Sequence, residues 1–134
     1  MGFPGGRSPY PASGPYPIGY WSPWESGSGG GTTFSRVVVR SNDANVLVVP
    51  TTSDVYVFMR GLTADRTVTL PAAPATGQIV AVKDEDGSLA AHSIIIAGNG
   101  NTIDGAASYT MTAAQNGVKG SISLLFDGVA WGIV

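Results

Sequence analysis

Residues 34–60 read FSRVVVRSNDANVLVVPTTSDVYVFMR, and this stretch decides the fold. Three short apolar runs, 34–40, 44–49 and 55–60, are separated by clusters of Ser, Asn, Asp, Pro and Thr. Val, Ile and aromatic side chains suit a pleated, half-buried surface, and Pro, Asn and Asp suit the turns between such segments. The same grammar continues downstream in 66–70, 78–83, 93–97, 121–126 and 130–134, giving eight expected strands. No window of ten or more residues sustains a 3.6-residue apolar period, so no substantial helix is expected. Only 108–116 (SYTMTAAQN) is open between strand and a short turn of helix. The expectation is an all-β domain, a small antiparallel β-sandwich or jelly-roll-like fold.

Turn chemistry sharpens that expectation. Asp127-Gly128 lies between Leu124-Leu125-Phe126 and Val129-Ala130-Trp131, a dipeptide suited to a type I′ hairpin because both central residues need positive φ. Asp86-Gly87 and Asn99-Gly100 mark two more turns, and Pro50, Pro71 and Pro74 end strands. Thr67-Val68-Thr69-Leu70 and Ser121-Ile122-Ser123-Leu124 alternate as strands with one wet face do. By contrast 46–49, 55–59 and 94–96 are apolar on both faces, which calls for cover on the outside.

Composition points the same way. Charged residues make up 12% of the 134-residue chain, against about 25% in an ordinary soluble domain. A small domain has a large surface to solvate, so this deficit implies a surface completed by association. The net charge of −2 supplies no electropositive field, and nucleic-acid binding is not expected. There is no cysteine, which removes disulfides and thiolate metal sites. No basic region leads into an apolar stretch at the start, so no secretory signal is expected. No apolar run approaches the ~20 residues of a membrane helix, and no membrane partner is expected.

The first 31 residues are unlike the rest. They hold nine of the 19 glycines, six of the nine prolines and two charged side chains, Arg7 and Glu25. Prolines remove ladder donors and glycines add chain entropy, so 1–31 is expected to be an extended, irregular arm and 32–134 the β domain. Phe3, Tyr10, Tyr16, Tyr20, Trp21 and Trp24 are threaded through the arm. Six aromatics do not offset ordering costs of about 1–2 kcal/mol for each residue of the arm, so they are expected to dock on a partner. Within the β domain, Val55, Val57, Phe58, Ile95 and Trp131 on the doubly apolar strands are the expected oligomer interface.

Residues able to do chemistry are sparse. His92 is the sole histidine, which excludes a multi-histidine zinc site and leaves one imidazole for any Ser-His-Asp arrangement; no G-x-S-x-G surrounds any serine. Asp84-Glu85-Asp86-Gly87-Ser88 fails the calcium-loop spacing and is expected to be a solvated acidic turn. Gly98-Asn99-Gly100-Asn101-Thr102-Ile103-Asp104-Gly105 matches no phosphate-loop pattern and is expected to form tight turns. No enzyme activity, cofactor or metal is expected, and a hydrolase has the least support.

Three segments, TVTLPAAPATGQIVAVKDEDGS, SIIIAGNGNTIDG and SISLLFDGVAWGIV, resemble a module recurrent in tail-fibre, receptor-binding and other virion proteins of tailed bacteriophages. The residues of the resemblance are Thr67, Leu70, Pro71, Gly77, Val82, Lys83, Asp84, Ile94, Ile96, Gly100, Ile103, Asp104, Gly105, Leu124, Asp127, Gly128 and Trp131. They cover about half the chain. The resemblance implies a trimeric β domain in a phage particle, made in the host cytoplasm. Without a long shaft or receptor tip, and with an aromatic arm outside the module, the chain looks most like a capsid decoration (cement) protein, a homotrimer that binds the major capsid protein or another virion protein. The alternative is a small tail fibre or adhesin recognising a host glycan, with Tyr109 or Trp131 as stacking residues.

Overall fold

The computed structural model describes residues 35–49 and 52–134. Among the described residues nine strands form two mixed sheets. The first has the order β1 (Arg36–Asn42), β3 (Asp54–Arg60), β5 (Ile79–Asp84), β8 (Ser121–Phe126), β9 (Trp131–Ile133). The second has the order β2 (Val46–Leu47), β4 (Arg66–Thr69), β6 (Ile94–Ala97), β7 (Ser108–Met111). A one-turn helix, α1 (Ala113–Asn116), follows β7, capped by the Thr112 hydroxyl accepting from Gln115 N.

From β1 to β6 the chain alternates between sheets, and β1–β3–β5 and β2–β4–β6 pair in parallel. The antiparallel, jelly-roll-like expectation is therefore corrected: the first six strands wind as a flattened coil, and only β7, β8 and β9 are antiparallel additions. Parallel neighbours need a long crossover, and here the crossover is a strand of the other sheet in place of a helix. Pro71 and Gly87 mark chain reversals in either arrangement, so turn residues did not separate a hairpin from a coil.

Buried side chains of both sheets form one core. Val55, Val57, Met59, Val80, Val82, Leu124 and Phe126 of the first sheet meet Val46, Val48, Val68, Leu70, Ile94, Ile96 and Met111 of the second. Each fully buried Val, Leu or Ile contributes about 1.5–3 kcal/mol. β3 and β5 alternate buried and half-buried residues, because side chains one apart point to opposite faces.

At the corners, short polar side chains tie each coil to the next. The Asp43 carboxylate accepts from Thr63 N at 2.9 Å, Thr63 Oγ1 at 2.7 Å and the Arg66 guanidinium at 2.8 Å. Asn45 Oδ1 accepts from Thr67 N, Asp54 Oδ1 from Ile79 N, Asp65 Oδ1 from Ser93 N and Asp86 Oδ2 from Gly61 N. These acceptors satisfy corner N–H groups that the sheets leave over.

The expected solvated acidic turn is also corrected. β5 runs to Asp84, and its alternation turns that carboxylate fully inward. Oδ1 accepts from Gly87 N at 3.1 Å and Ser88 N at 2.9 Å, and Oδ2 from Leu89 N at 3.0 Å and Lys119 N at 2.9 Å. Glu85 bridges Arg40 and Arg60, so Asp86 alone of the three is exposed.

The glycine-rich loop does form tight turns. Asn99 (φ 55) and Gly100 (φ 96) span the Gly98–Asn101 hydrogen bond, and Asp104 (φ 47) and Gly105 (φ 87) span a reciprocal Ile103–Ala106 pair. Two positive-φ central residues make the latter the type I′ hairpin. The assignment of that turn to Asp127-Gly128 is corrected, since only Gly128 (φ 102) has positive φ there. Instead Asp127 Oδ1 accepts from Val129 N and Ala130 N across a four-residue connection.

Candidate interaction surfaces

The two ends of the coil are finished differently. At the β9 end, Trp131 N donates to Thr102 O (2.9 Å), Asp104 N donates to Trp131 O (3.0 Å) and Ile133 N donates to Asp104 Oδ1 (3.2 Å). The 102–104 segment thereby occupies the outward edge of β9. At the other end, β1 is the last strand of the first sheet and β2 the last of the second among the described residues. Val37 is 40% exposed, Val38 62%, Leu47 67% and Val49 70%, so four of the seven exposed large apolar residues among the described ones gather at this end.

A second surface is the outward face of the first sheet. Register aligns Val38, Tyr56, Ala81 and Ser123 in one row and Arg40, Phe58, Lys83 and Ser121 in the next. Small Ala81, Ser121 and Ser123 beside Tyr56 and Phe58 leave a shallow groove of about 250 Å³. The Arg36 guanidinium lies 5.6 Å from the Tyr56 ring centroid, and Lys83 Nζ donates to Lys119 O.

The electrostatics of the described residues are structural. Backbone and side-chain hydrogen bonds from Thr63, then the Arg66 guanidinium, lower the Asp43 pKa to about 2. The Ser88 hydroxyl and Gly61 N–H hold Asp86 below the usual carboxylate range, and the Ala130 and Val129 N–H groups do so for Asp127. Among the described residues no group of three His, Cys, Asp or Glu side chains could hold a metal ion. His92 is half-buried, with its N–H donated to Ser88 O, and it precedes β6 by two residues.

The expected interface set is broken up. Val55, Val57 and Trp131 are buried in this chain's own core, at 1%, 0% and 1% exposure, and have no surface to offer a second molecule. They point inward because the alternation of β3 and β9 turns them toward the other sheet. Phe58 and Ile95 are half-buried on the outward faces of different sheets, so they do not form one patch. Tyr109 is half-buried against the core with its hydroxyl 3.4 Å from Asn116 Oδ1, and Trp131 is buried and offers no stacking ring. Phe3, Tyr10, Tyr16, Tyr20, Trp21 and Trp24 lie outside the described residues. Sequence marks the 46–49 run, with Leu47 and Val49, as needing outside cover, but not Val37 or Val38, because edge position depends on strand order and strand order is not local.

The residues of the phage-module resemblance share a structural logic. Leu70, Val82, Asp84, Ile94, Ile96, Ile103, Leu124 and Trp131 are buried, while Gly77, Gly100, Asp104, Gly105 and Gly128 have positive φ. The chain matches no family model and no curated protein.

Proposed function

We propose that this chain is a non-enzymatic structural protein of a tailed-phage particle, a capsid decoration protein. It self-associates through its β domain, with three copies the number the resemblance implies. Residues 1–31 anchor it to the major capsid protein or another virion protein. The observation that carries this reading is the unfinished end of the coil, where Val37, Val38, Leu47 and Val49 stay exposed in a chain with 12% charged residues. A surface of that kind is covered by association. Several anchoring arms on one assembly would multiply a modest single-arm affinity through effective concentration.

The test is deletion of residues 1–31. The whole described core lies in 35–134, so the shortened protein should fold, self-associate and fail to bind particles. Normal decoration by the shortened protein would remove the arm from the proposal. The outward groove favours the second reading, a small fibre or adhesin touching a host glycan, with Tyr56 and Phe58 as stacking residues instead of Tyr109 or Trp131. That reading requires soluble protein to bind cells and to lose binding on Tyr56→Ala.

A further inference from the structure

We infer that the amide of Asn99 is a site of spontaneous modification, at which the Gly100 nitrogen closes a five-membered ring and the 98–101 turn acquires a carboxylate. Five dipeptides of the chain set Asn or Asp before Gly: Asp86-Gly87, Asn99-Gly100, Asp104-Gly105, Asn116-Gly117 and Asp127-Gly128. A glycine has no Cβ to obstruct the approach of its own nitrogen to the preceding side chain, so each pair is a candidate for ring closure. Carboxyl groups are ionised near neutral pH, and an ionised carboxylate is a poor electrophile, which sets the three aspartates aside.

Hydrogen bonding separates the two asparagines. Asn116 Oδ1 accepts from Thr112 N at 3.1 Å and lies 3.4 Å from the Tyr109 hydroxyl. Gly117 N, the atom that would attack, donates to Ala113 O at 2.9 Å, so ring closure there has to unwind α1. Asn99 is exposed, and its side chain is held by one bond, from Nδ2 to Leu70 O at 3.0 Å. The Gly100 N–H donates to no acceptor among the described residues, and a Cβ placed on Gly100 would meet nothing within 4 Å. Bringing the Gly100 nitrogen to Asn99 Cγ requires the Leu70 bond and the 3.2 Å turn bond from Asn101 N to Gly98 O to open, and disturbs no strand or helix.

The reaction balances with water alone. Gly100 N gives its proton to solvent and attacks Asn99 Cγ; the N–Cγ bond forms, the Cγ–Nδ2 bond breaks, and ammonia leaves with a proton taken back from solvent. Water then opens the succinimide, adding hydroxyl to either ring carbonyl carbon and hydrogen to the ring nitrogen, which leaves aspartate or isoaspartate at position 99. One water is consumed and one ammonia released. The product sets a carboxylate where Nδ2 had donated to Leu70 O, so two acceptors face each other and that tether is lost, while Asn101 Nδ2 still donates to Ala72 O at 3.2 Å. A chain of net charge −2 gains one further negative charge.

This site concerns the chain alone and does not rest on the virion proposal. The purified full chain is aged in mildly alkaline buffer and followed by peptide mass mapping, which reads the difference between amide and acid at each position. In the native chain position 99 should convert at least tenfold faster than position 116, since more hydrogen bonds must break at 116. In urea the two rates should converge, because both are Asn-Gly. Asn99→Gln keeps an amide but needs a six-membered ring, so ammonia release from the native protein should fall to the rate of position 116. Asn99→Asp tolerates the φ of 55 and supplies the product's charge directly, and it should speed amide exchange at Asn101 N at least tenfold. Native conversion at 116 equal to or faster than at 99, or no conversion at 99 while the urea-unfolded chain converts, overturns the site. Unchanged exchange in Asn99→Asp overturns the loss of the tether.

Discussion

Replacing Asp84 by alanine removes a carboxylate that is 0% exposed and that accepts four backbone N–H groups between 2.9 and 3.1 Å. The donors belong to two segments, Gly87–Leu89 and the loop at Lys119, which this carboxylate joins. Leu89 N is buried, and a buried donor left without a partner costs about 1–3 kcal/mol. The three part-buried donors recover some hydrogen bonding to water, at about 0.5–1.5 kcal/mol each. The expected loss for Asp84→Ala is therefore about 2.5–7.5 kcal/mol, a large share of a domain's total of roughly 5–15 kcal/mol. Asp84→Asn keeps one acceptor oxygen for Gly87 and Ser88 but turns an NH2 group toward Leu89 N and Lys119 N, so about half that loss is expected. Urea titration of the three proteins reads this as a fall in midpoint at constant slope. A shift under about 1 kcal/mol for Asp84→Ala would mean that the carboxylate is solvated after all, and the account of this corner would be wrong.

Three further outcomes follow from the same geometry. Asp43 has its pKa lowered to about 2 from 3.8, so the stability it contributes is complete above about pH 4 and is lost as pH falls through 2; Asp43→Asn should flatten that part of the stability–pH curve, and an unchanged curve refutes the assignment. A Cβ at residue 98 would lie 1.9 Å from Asn101 O, so Gly98→Ala should disrupt the 98–101 turn and cost roughly 3 kcal/mol or more, seen as a thermal-midpoint drop of over 10 °C. Trp131→Ala should cost about 3–5 kcal/mol of folding stability, whereas outward Phe58→Ala should cost about 1 kcal/mol or less; the reverse order in chemical denaturation would restore Trp131 as a surface residue.

Local pattern revealed the strands and little of their partners. Residues 121–126 match β8 end to end, and each of the eight expected runs overlaps a strand, with β1, β3 and β5 extending one or two residues beyond the expected bounds. The ambiguous 108–116 segment divides into β7 and α1, since Thr112 caps a helical turn directly after Met111 enters the core. Parallel pairing was hidden because Val37 and Val55, or Val55 and Val80, are matched across a whole coil and no short-range signal links them. Asp84 was misread because a run of three acidic residues resembles a wet turn unless the preceding strand is known to extend one residue further. The apolar residues of β1 and β2 were legible as strand formers, yet their exposure follows from being last in their sheets.

The coils are not equal in length, since β3 and β5 are joined by a longer connection than β1 and β3 while their ladders remain in step. Extra residues are absorbed at the rim, in stretches such as 71–77 and 98–107, where Asn99 and Asn101 fasten the loop to Leu70 O and Ala72 O. No residue of 72–77 is buried, whereas 98–107 sends Ile103 into the core, so it is the first of these stretches that is uncoupled from the packed interior. Foreign peptides inserted there would be carried on a body whose strand geometry is set elsewhere, which makes this architecture a natural display scaffold.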